Sequence, residues 1–280
     1  MVNYLDIAYS IAGWKDDPYT PAGYERFSIA IEHFRKLMSH PWFSKLLEKK
    51  SLTIVDVGAG KGIGGVALAK VLQENKVKPR LYMVDVREGA LQTALKFASE
   101  NNIEAKTYTM DAKEIHRIGI RDVDLVLMYG GILAHFNEWD LVRLLASVTS
   151  IINDEGILLL EEFDRDHMLY TRGYKDLIVE KSEEGSVAIS VHKRYDVVTG
   201  SYYRLFIDLL GHRAVEAPVN FRSIAQIASM LWIFMHDIDI VYTGKDLIYY
   251  ILGLKPRRRI SVDDLINIPE VLERGDFWKI

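Results

Sequence analysis

The chain has 280 residues, enough for one large domain or for one domain carrying an elaborate insertion. With 49% hydrophobic and 26% charged residues it can bury a full core, and a net charge of −4 supplies no global positive field for nucleic acid or anionic lipid. Cysteine is absent, which excludes disulfides, thiolate metal sites and a cysteine nucleophile, and which fits a reducing compartment.

Residues 1–50 read as a helical cap rich in aromatics, among them Tyr9, Trp14, Tyr19 and Tyr24, with a loop at Pro18 and Pro21. The opening MVNYLDIAYSIAGWKDD lacks a basic start followed by an apolar run, so no signal peptide is expected. The longest apolar candidate for a membrane span, Ile224 to Phe234, is broken by Gln226 and Ser229. The expected location is the cytoplasm, with no membrane partner.

From residue 51 the grammar changes. Thr53–Val57 is a short β-branched run ending at glycines, and the next segment, Gly64 to Leu72, has helical apolar spacing. The alternation continues with a strand at Leu81–Asp85, a helix at Glu88–Asn101, and strands at Ala105–Thr109 and Val123–Tyr129. Asn137 offers an N-cap for a helix with core face Leu141, Leu144, Leu145, Val148 and Ile152, and a fifth strand is Ile157–Glu161. Apolar strands separated by helices predict a doubly wound, mostly parallel sheet covered on both faces.

After residue 180 the period switches to two. Val187–Tyr195, Tyr202–Leu210 and Ala214–Asn220 predict an inserted three-stranded antiparallel meander, too long for a simple crossover. A helix at Ser223–Phe234 and strands at Ile238–Tyr242 and Leu247–Leu254 bring the main sheet to seven strands. The run Lys255–Arg259 reads as a solvated face, and Phe277 with Trp278 offers an apolar surface for the chain's own body or for a homodimer.

The chemistry concentrates in Asp56-Val57-Gly58-Ala59-Gly60-Lys61-Gly62, at the carboxyl end of the first strand. Glycines there allow a sharp turn and close approach to a ligand, and the following helix points its positive end at it. The string Gly60 to Gly65 also satisfies the dinucleotide pattern G-x-G-x-x-G, a weak match by itself, while a P-loop lacks its Ser or Thr after Lys61. Asp85, ending the second strand, is placed to accept from both ribose hydroxyls, which would suit NAD equally. Asp111, after the third strand, is placed to accept from an adenine amino group. Asp56 puts negative charge where NAD would place its pyrophosphate. That is poor chemistry for a diphosphate and good chemistry for a ligand with an amine and a sulfonium.

Asp56-x-Gly58-x-Gly60-x-Gly62, Asp85 and Asp111 resemble the first three motifs of the class I S-adenosylmethionine-dependent methyltransferases, and the order of elements agrees from residue 51 through 254. The resemblance implies S-adenosylmethionine as cofactor and S-adenosylhomocysteine as product. It puts the methionine moiety against Gly58, Gly60 and Gly62, the ribose on Asp85, and adenine on Asp111 and the Ala112 backbone with Val86 or Arg87 flanking. It also puts the transferable methyl beside the loop at Tyr129 and Gly130. The division expected from it is a cap (1–50), a methyltransferase domain (51–180 and 221–256), a substrate lid (181–220) and a tail (257–280).

The loop after the fourth strand lacks the Pro-Pro motif of enzymes that methylate exocyclic amines, and it lacks the metal-binding acids of catechol-type enzymes. The resemblance then leaves a large group acting on small molecules, with some RNA and protein enzymes; the expected acceptor is an N or O atom of a small molecule, attacked in line, with His135 as candidate base. Of Glu161 and Glu162 only one can face the crevice, and Glu162 is expected to join His135 as a catalytic residue. Tyr19 from the cap and Tyr195 and Arg204 from the lid are expected to shape the substrate pocket. The eight histidines show no metal spacing, so no metal is expected. The alternatives are an RNA or protein methyltransferase of the same fold, a non-catalytic S-adenosylmethionine-binding protein, and an NAD-dependent oxidoreductase.

Overall fold

A computed structural model describes residues 4–277. Its main sheet has seven strands: β1 (Ser51–Val57), β2 (Lys78–Asp85), β3 (Ala105–Thr109), β4 (Val123–Met128), β5 (Ile152–Phe163), β10 (Met235–Tyr242) and β11 (Ile248–Pro256). They lie in the order β10-β11-β5-β4-β1-β2-β3, and all run parallel except β11, which is antiparallel to both neighbours.

Successive residues of a strand point to opposite faces, and the core divides accordingly. Ile54, Leu81, Leu125 and Leu159 pack with helices α2 (Pro21–Leu37), α3 (Pro41–Leu46), α4 (Ile63–Glu74) and α5 (Glu88–Glu100). Val55, Val84, Val126 and Leu160 pack on the other side with α6 (Glu138–Ile151) and α8 (Ile224–Phe234). Both faces are thus covered, which is why the central strands read as unbroken apolar runs. The helix starts follow local chemistry. Thr20 caps α2 with Pro21 in its first turn, Asn137 accepts from Asp140 N at the start of α6, and Ser223 and Gln226 form a capping box for α8.

The inserted sheet has four strands rather than three: β6 (Leu177–Glu183), β7 (Ser186–Asp196), β8 (Ser201–Asp208) and β9 (Arg213–Val219), paired antiparallel in chain order. The additional strand β6 is an edge that buries no complete face, so it lacks the alternation that marks a half-buried strand. A short helix, α7 (Arg165–Arg172), also absent from the sequence reading, leads into it with no buried residue.

Helix α1 (Tyr4–Ala12) packs on this second sheet, with Ala8, Ile11 and Ala12 against Ala188, Phe206 and Ala217. The first helix and the insertion therefore share one small core. Together they roof the crevice where strand order reverses between β1 and β4, the place where open α/β sheets bind ligands. The tail holds one further helix, α9 (Glu270–Arg274); Phe277 is exposed, and Trp278 lies outside the described residues. No helix among the described residues is long and apolar enough to cross a membrane.

Candidate active site

The loop from β1 to α4 turns on Gly58, Gly60 and Gly62, with φ of 70°, 54° and 88°. A side chain at Gly58 would be strained at that φ and would also press on Ile132, its Cβ falling 2.8 Å from Ile132 Cδ1. The loop is tied to β2: Gly58 N and Ala59 N donate to Val84 O, and Gly60 N donates to Asp85 Oδ2 at 2.8 Å. Asp85 Oδ1 accepts from Arg87 N at 2.8 Å and from Arg87 Nε at 3.3 Å.

Asp56 lies behind the loop. Its Oδ2 accepts from Gly65 N at 2.8 Å, while Oδ1 is buried without a hydrogen-bond partner among the described residues. Burial pushes its pKa up to about 7, with the nearby Asp85 charge adding to the rise and the Gly65 N–H opposing it. Asp56 also lines the larger cavity over the strand ends, and a buried carboxyl oxygen without a donor is costly.

Two chambers open over the strand ends. The larger, about 670 Å³, is lined by Asp56, Gly58, Gly60, Tyr129 and Gly130 on the sheet side and by Trp14, Phe206 and Val219 on the roof. The smaller, about 400 Å³, is lined by Asp85, Val86, Asp111 and Ala112. Nine of the ten residues expected to hold the cofactor thus lie on one chamber or both. Gly62 lies on neither; it is the N-cap of α4, and a Cβ there would fall 3.0 Å from Ala94 Cβ. Asp111 accepts from Lys113 N at 2.9 Å, starting a 3-10 turn, and its side chain stays largely exposed at the chamber rim.

His135 lines both chambers, with Tyr9 Oη 3.3 Å from its Nε2 and Trp14 at 6.0 Å between ring centroids. Burial lowers its pKa to about 4, with Arg165 and Arg87 adding to the effect. The ring is therefore neutral near pH 7.

The acid that faces the larger chamber is Glu161, not Glu162. Glu162 is turned to the opposite side of β5. Its Oε1 accepts from Leu133 N at 2.8 Å, its Oε2 accepts from Phe163 N at 3.2 Å, and Arg165 stands 3.6 Å away. That carboxylate fixes the loop bearing His135, and its oxygens are already occupied. Glu161 lies beside Tyr129 and Tyr250, and burial raises its pKa to about 7 against the opposing charge of Arg26.

The three residues expected to contact substrate lie on neither chamber. Tyr19 is exposed and donates to Glu100 at 2.7 Å. Tyr195 is exposed and packs on Tyr202. Arg204 is buried within the inserted sheet, where it donates to Ser190 Oγ, Tyr174 Oη and Lys175 O and stitches that sheet to the segment before β6. A lone arginine on an amphipathic strand gives no sign of which sheet face it takes.

The sequence reading passed over Arg26 and Phe206. Arg26, in α2, holds its guanidinium 5.1 Å from the Tyr129 ring centroid and beside Gly130. Its role depends on how α2 crosses the sheet, for which no local spacing is a signal. Among the described residues, no group of three or more His, Cys, Asp or Glu is placed to hold a metal ion.

Residues 54–156, which span β1 through β5 and the glycine loop, match a family model described as a methyltransferase domain. The chain has the fold of solved S-adenosylmethionine-dependent methyltransferases. Similar solved structures include an S-adenosylmethionine-dependent methyltransferase from Clostridium acetobutylicum, at 15% identity and TM-score 0.57, covering 80% of this chain and 92% of that one. The CcbJ methyltransferase from Streptomyces caelestis is similar at 12% identity and TM-score 0.58, with 80% and 89% covered. A protein from Pyrococcus horikoshii OT3 is similar at 13% identity and TM-score 0.55, with 85% and 94% covered. At these identities the likeness is one of fold. No curated protein matches the chain in sequence.

Proposed function

We propose that this methyltransferase moves the methyl group of S-adenosylmethionine to an N or O atom of a small molecule held in the larger chamber. The observation that carries the reading is the position of that chamber between the strand ends, α1 and the inserted sheet, at a volume of about 670 Å³. Such a chamber suits a metabolite-sized acceptor.

The donor set fits the cofactor. Asp85 and Asp111 are the acceptors for ribose and adenine hydroxyl and amino groups on the smaller chamber, with Val86 and Ala112 beside them. Asp56 Oδ1 is the unpaired acceptor for an ammonium, and the Arg26 guanidinium beside Tyr129 and Gly130 is the partner for a carboxylate. An unpaired carboxylate behind the glycine loop opposes a diphosphate, which argues against the NAD reading.

When bound, S-adenosylmethionine supplies the activated methyl group. The chain's own part is alignment, exclusion of water and handling of one proton. His135, neutral near pH 7, accepts that proton at Nε2 when the nucleophile carries one. Glu161 is the acid available to orient an amine or hydroxyl in the larger chamber, the role expected of Glu162.

Calorimetry with S-adenosylmethionine and S-adenosylhomocysteine is the first test, and binding in the micromolar range is expected. A labelled-methyl assay over a metabolite library follows. Absence of binding by both ligands would end the proposal, and tight binding with no acceptor methylated would favour a non-catalytic adenosyl-binding protein.

A further inference from the structure

The two chambers meet at Tyr9, Arg87 and His135, each of which lines both. A ligand with its adenine beside Asp111 and its amino acid beside Asp56 must pass through that junction, and the Arg87 side chain stands in it. The guanidinium lies 3.8 Å over the Tyr9 ring, with Nη1 3.2 Å from Asp16 Oδ2 and Nε 3.3 Å from Asp85 Oδ1. Its Nη2 sits 3.0 Å from where a Cβ on Gly60 would be, so it rests against the glycine loop. The side chain is only 5% exposed, so these partners rather than water hold it.

Asp85 is the carboxylate assigned to the ribose, and its capacity is limited. A carboxylate has about four lone-pair sites. Three are taken, by Gly60 N, Arg87 N and Arg87 Nε. Two ribose hydroxyls need two sites, so one present donor has to leave. The backbone donors are fixed by the loop, and the Nε contact is the longest of the three.

We propose that Arg87 is the gating residue of the cofactor site: its guanidinium stands in for the ribose against Asp85 and passes to Asp16 alone when an adenosyl ligand enters. This inference rests on the methyltransferase reading of the site. Asp16 keeps the displaced guanidinium paired, so no buried charge is stranded. Asp16 and Tyr9 both belong to the N-terminal segment, which Lys61 of the glycine loop also holds, 2.9 Å from Asp17 and 3.6 Å from Asp16. Helix α1 in turn shares its core with the lid sheet. Cofactor entry is thereby coupled to the roof of the acceptor chamber through one side chain.

The test is S-adenosylhomocysteine affinity by calorimetry for the wild type, Arg87→Ala, Asp16→Asn and the double variant. Removing the competitor is expected to tighten binding by about tenfold in Arg87→Ala, about what one charge-assisted hydrogen bond is worth. Asp16→Asn removes the landing partner and is expected to weaken binding about threefold to tenfold in the wild-type background, while having no effect when Arg87 is already alanine. Weaker binding in Arg87→Ala would overturn the proposal, because the guanidinium would then be holding the ligand. An equal effect of Asp16→Asn in both backgrounds would overturn it as well. If Arg87→Ala does not fold, Asp16→Asn decides alone through the association rate, read by tryptophan fluorescence: slower entry supports the gate and an unchanged rate refutes it. A wild type that binds neither adenosyl ligand would mean instead that the underlying methyltransferase reading has failed.

Discussion

Alanine at Gly64 sets two known effects against each other. Gly64 is the second residue of α4, where exchanging glycine for alanine ordinarily stabilises a helix by up to about 1 kcal/mol. Here the added Cβ would fall 2.5, 2.6 and 2.8 Å from Cβ, Cγ and Cδ1 of Tyr129. Those atoms are the root of a side chain anchored at the end of β4, not the free end of a flexible one. Overpacking of this kind costs about 1–3 kcal/mol. The packing term wins, and a net loss of about 1–2 kcal/mol is expected, which at about 2–4 °C per kcal/mol lowers the melting temperature by several degrees. Gly89 is the matched control: it is the second residue of α5, and a Cβ there meets nothing within 4 Å. Gly89→Ala is expected to leave the melting temperature unchanged or slightly higher. Because Tyr129 also carries the Arg26 and Glu161 contacts, Gly64→Ala should weaken S-adenosylhomocysteine binding as well, whereas Gly89→Ala should not. Scanning calorimetry and ligand titration of the two variants measure all four quantities. Stabilisation by Gly64→Ala equal to that by Gly89→Ala would refute the close packing of α4 on β4 and with it the geometry of the glycine loop.

Asp111→Ala should lower S-adenosylhomocysteine affinity about tenfold by removing a charged acceptor, with a loss of about 0.5–2 kcal/mol in stability from the capping bond to Lys113 N; unchanged affinity would separate Asp111 from the adenine site. His135→Gln should reduce turnover by about a hundredfold if the acceptor must lose a proton, and wild-type turnover should stay level down to about pH 5, because the imidazole titrates near 4. A loss of rate centred near pH 6.5 would contradict that. Glu161, raised from 4.5 to about 7, holds in the native state a proton that the unfolded chain releases, so its stabilising contribution is complete below pH 4.5 and is lost as pH rises to 7. Melting temperature measured across that window should therefore fall less steeply in Glu161→Gln than in the wild type, although Asp56, shifted the same way, leaves part of the slope. Parallel curves for the two proteins would show that Glu161 titrates normally.

Much of the scaffold was legible because its signals are local. Strands buried on both faces announce themselves as apolar runs, as in Val123–Met128, where all six residues are buried. Asn137 and Ser223 mark helix starts because a side-chain oxygen there satisfies amide groups a few residues on. Strand β6 was missed because its apolar residues Leu177 and Val179 are exposed and its pairing comes from β7. Glu161 and Glu162 are neighbours with opposite orientations, and nothing in the pair fixes the register of β5 relative to the crevice.

The sequence by itself determined where the glycine bend and the strand-end acids stand, because both are produced by short-range geometry and parallel pairing. Which side chains reach the larger chamber was decided by tertiary structure alone. Arg26, Trp14 and Phe206 come from a helix, a loop and a strand far apart in the chain, and they meet only through the packing of α2 on the main sheet and of α1 on the inserted sheet. Such encounters depend on how whole elements cross, and no local pattern of residue types records that angle.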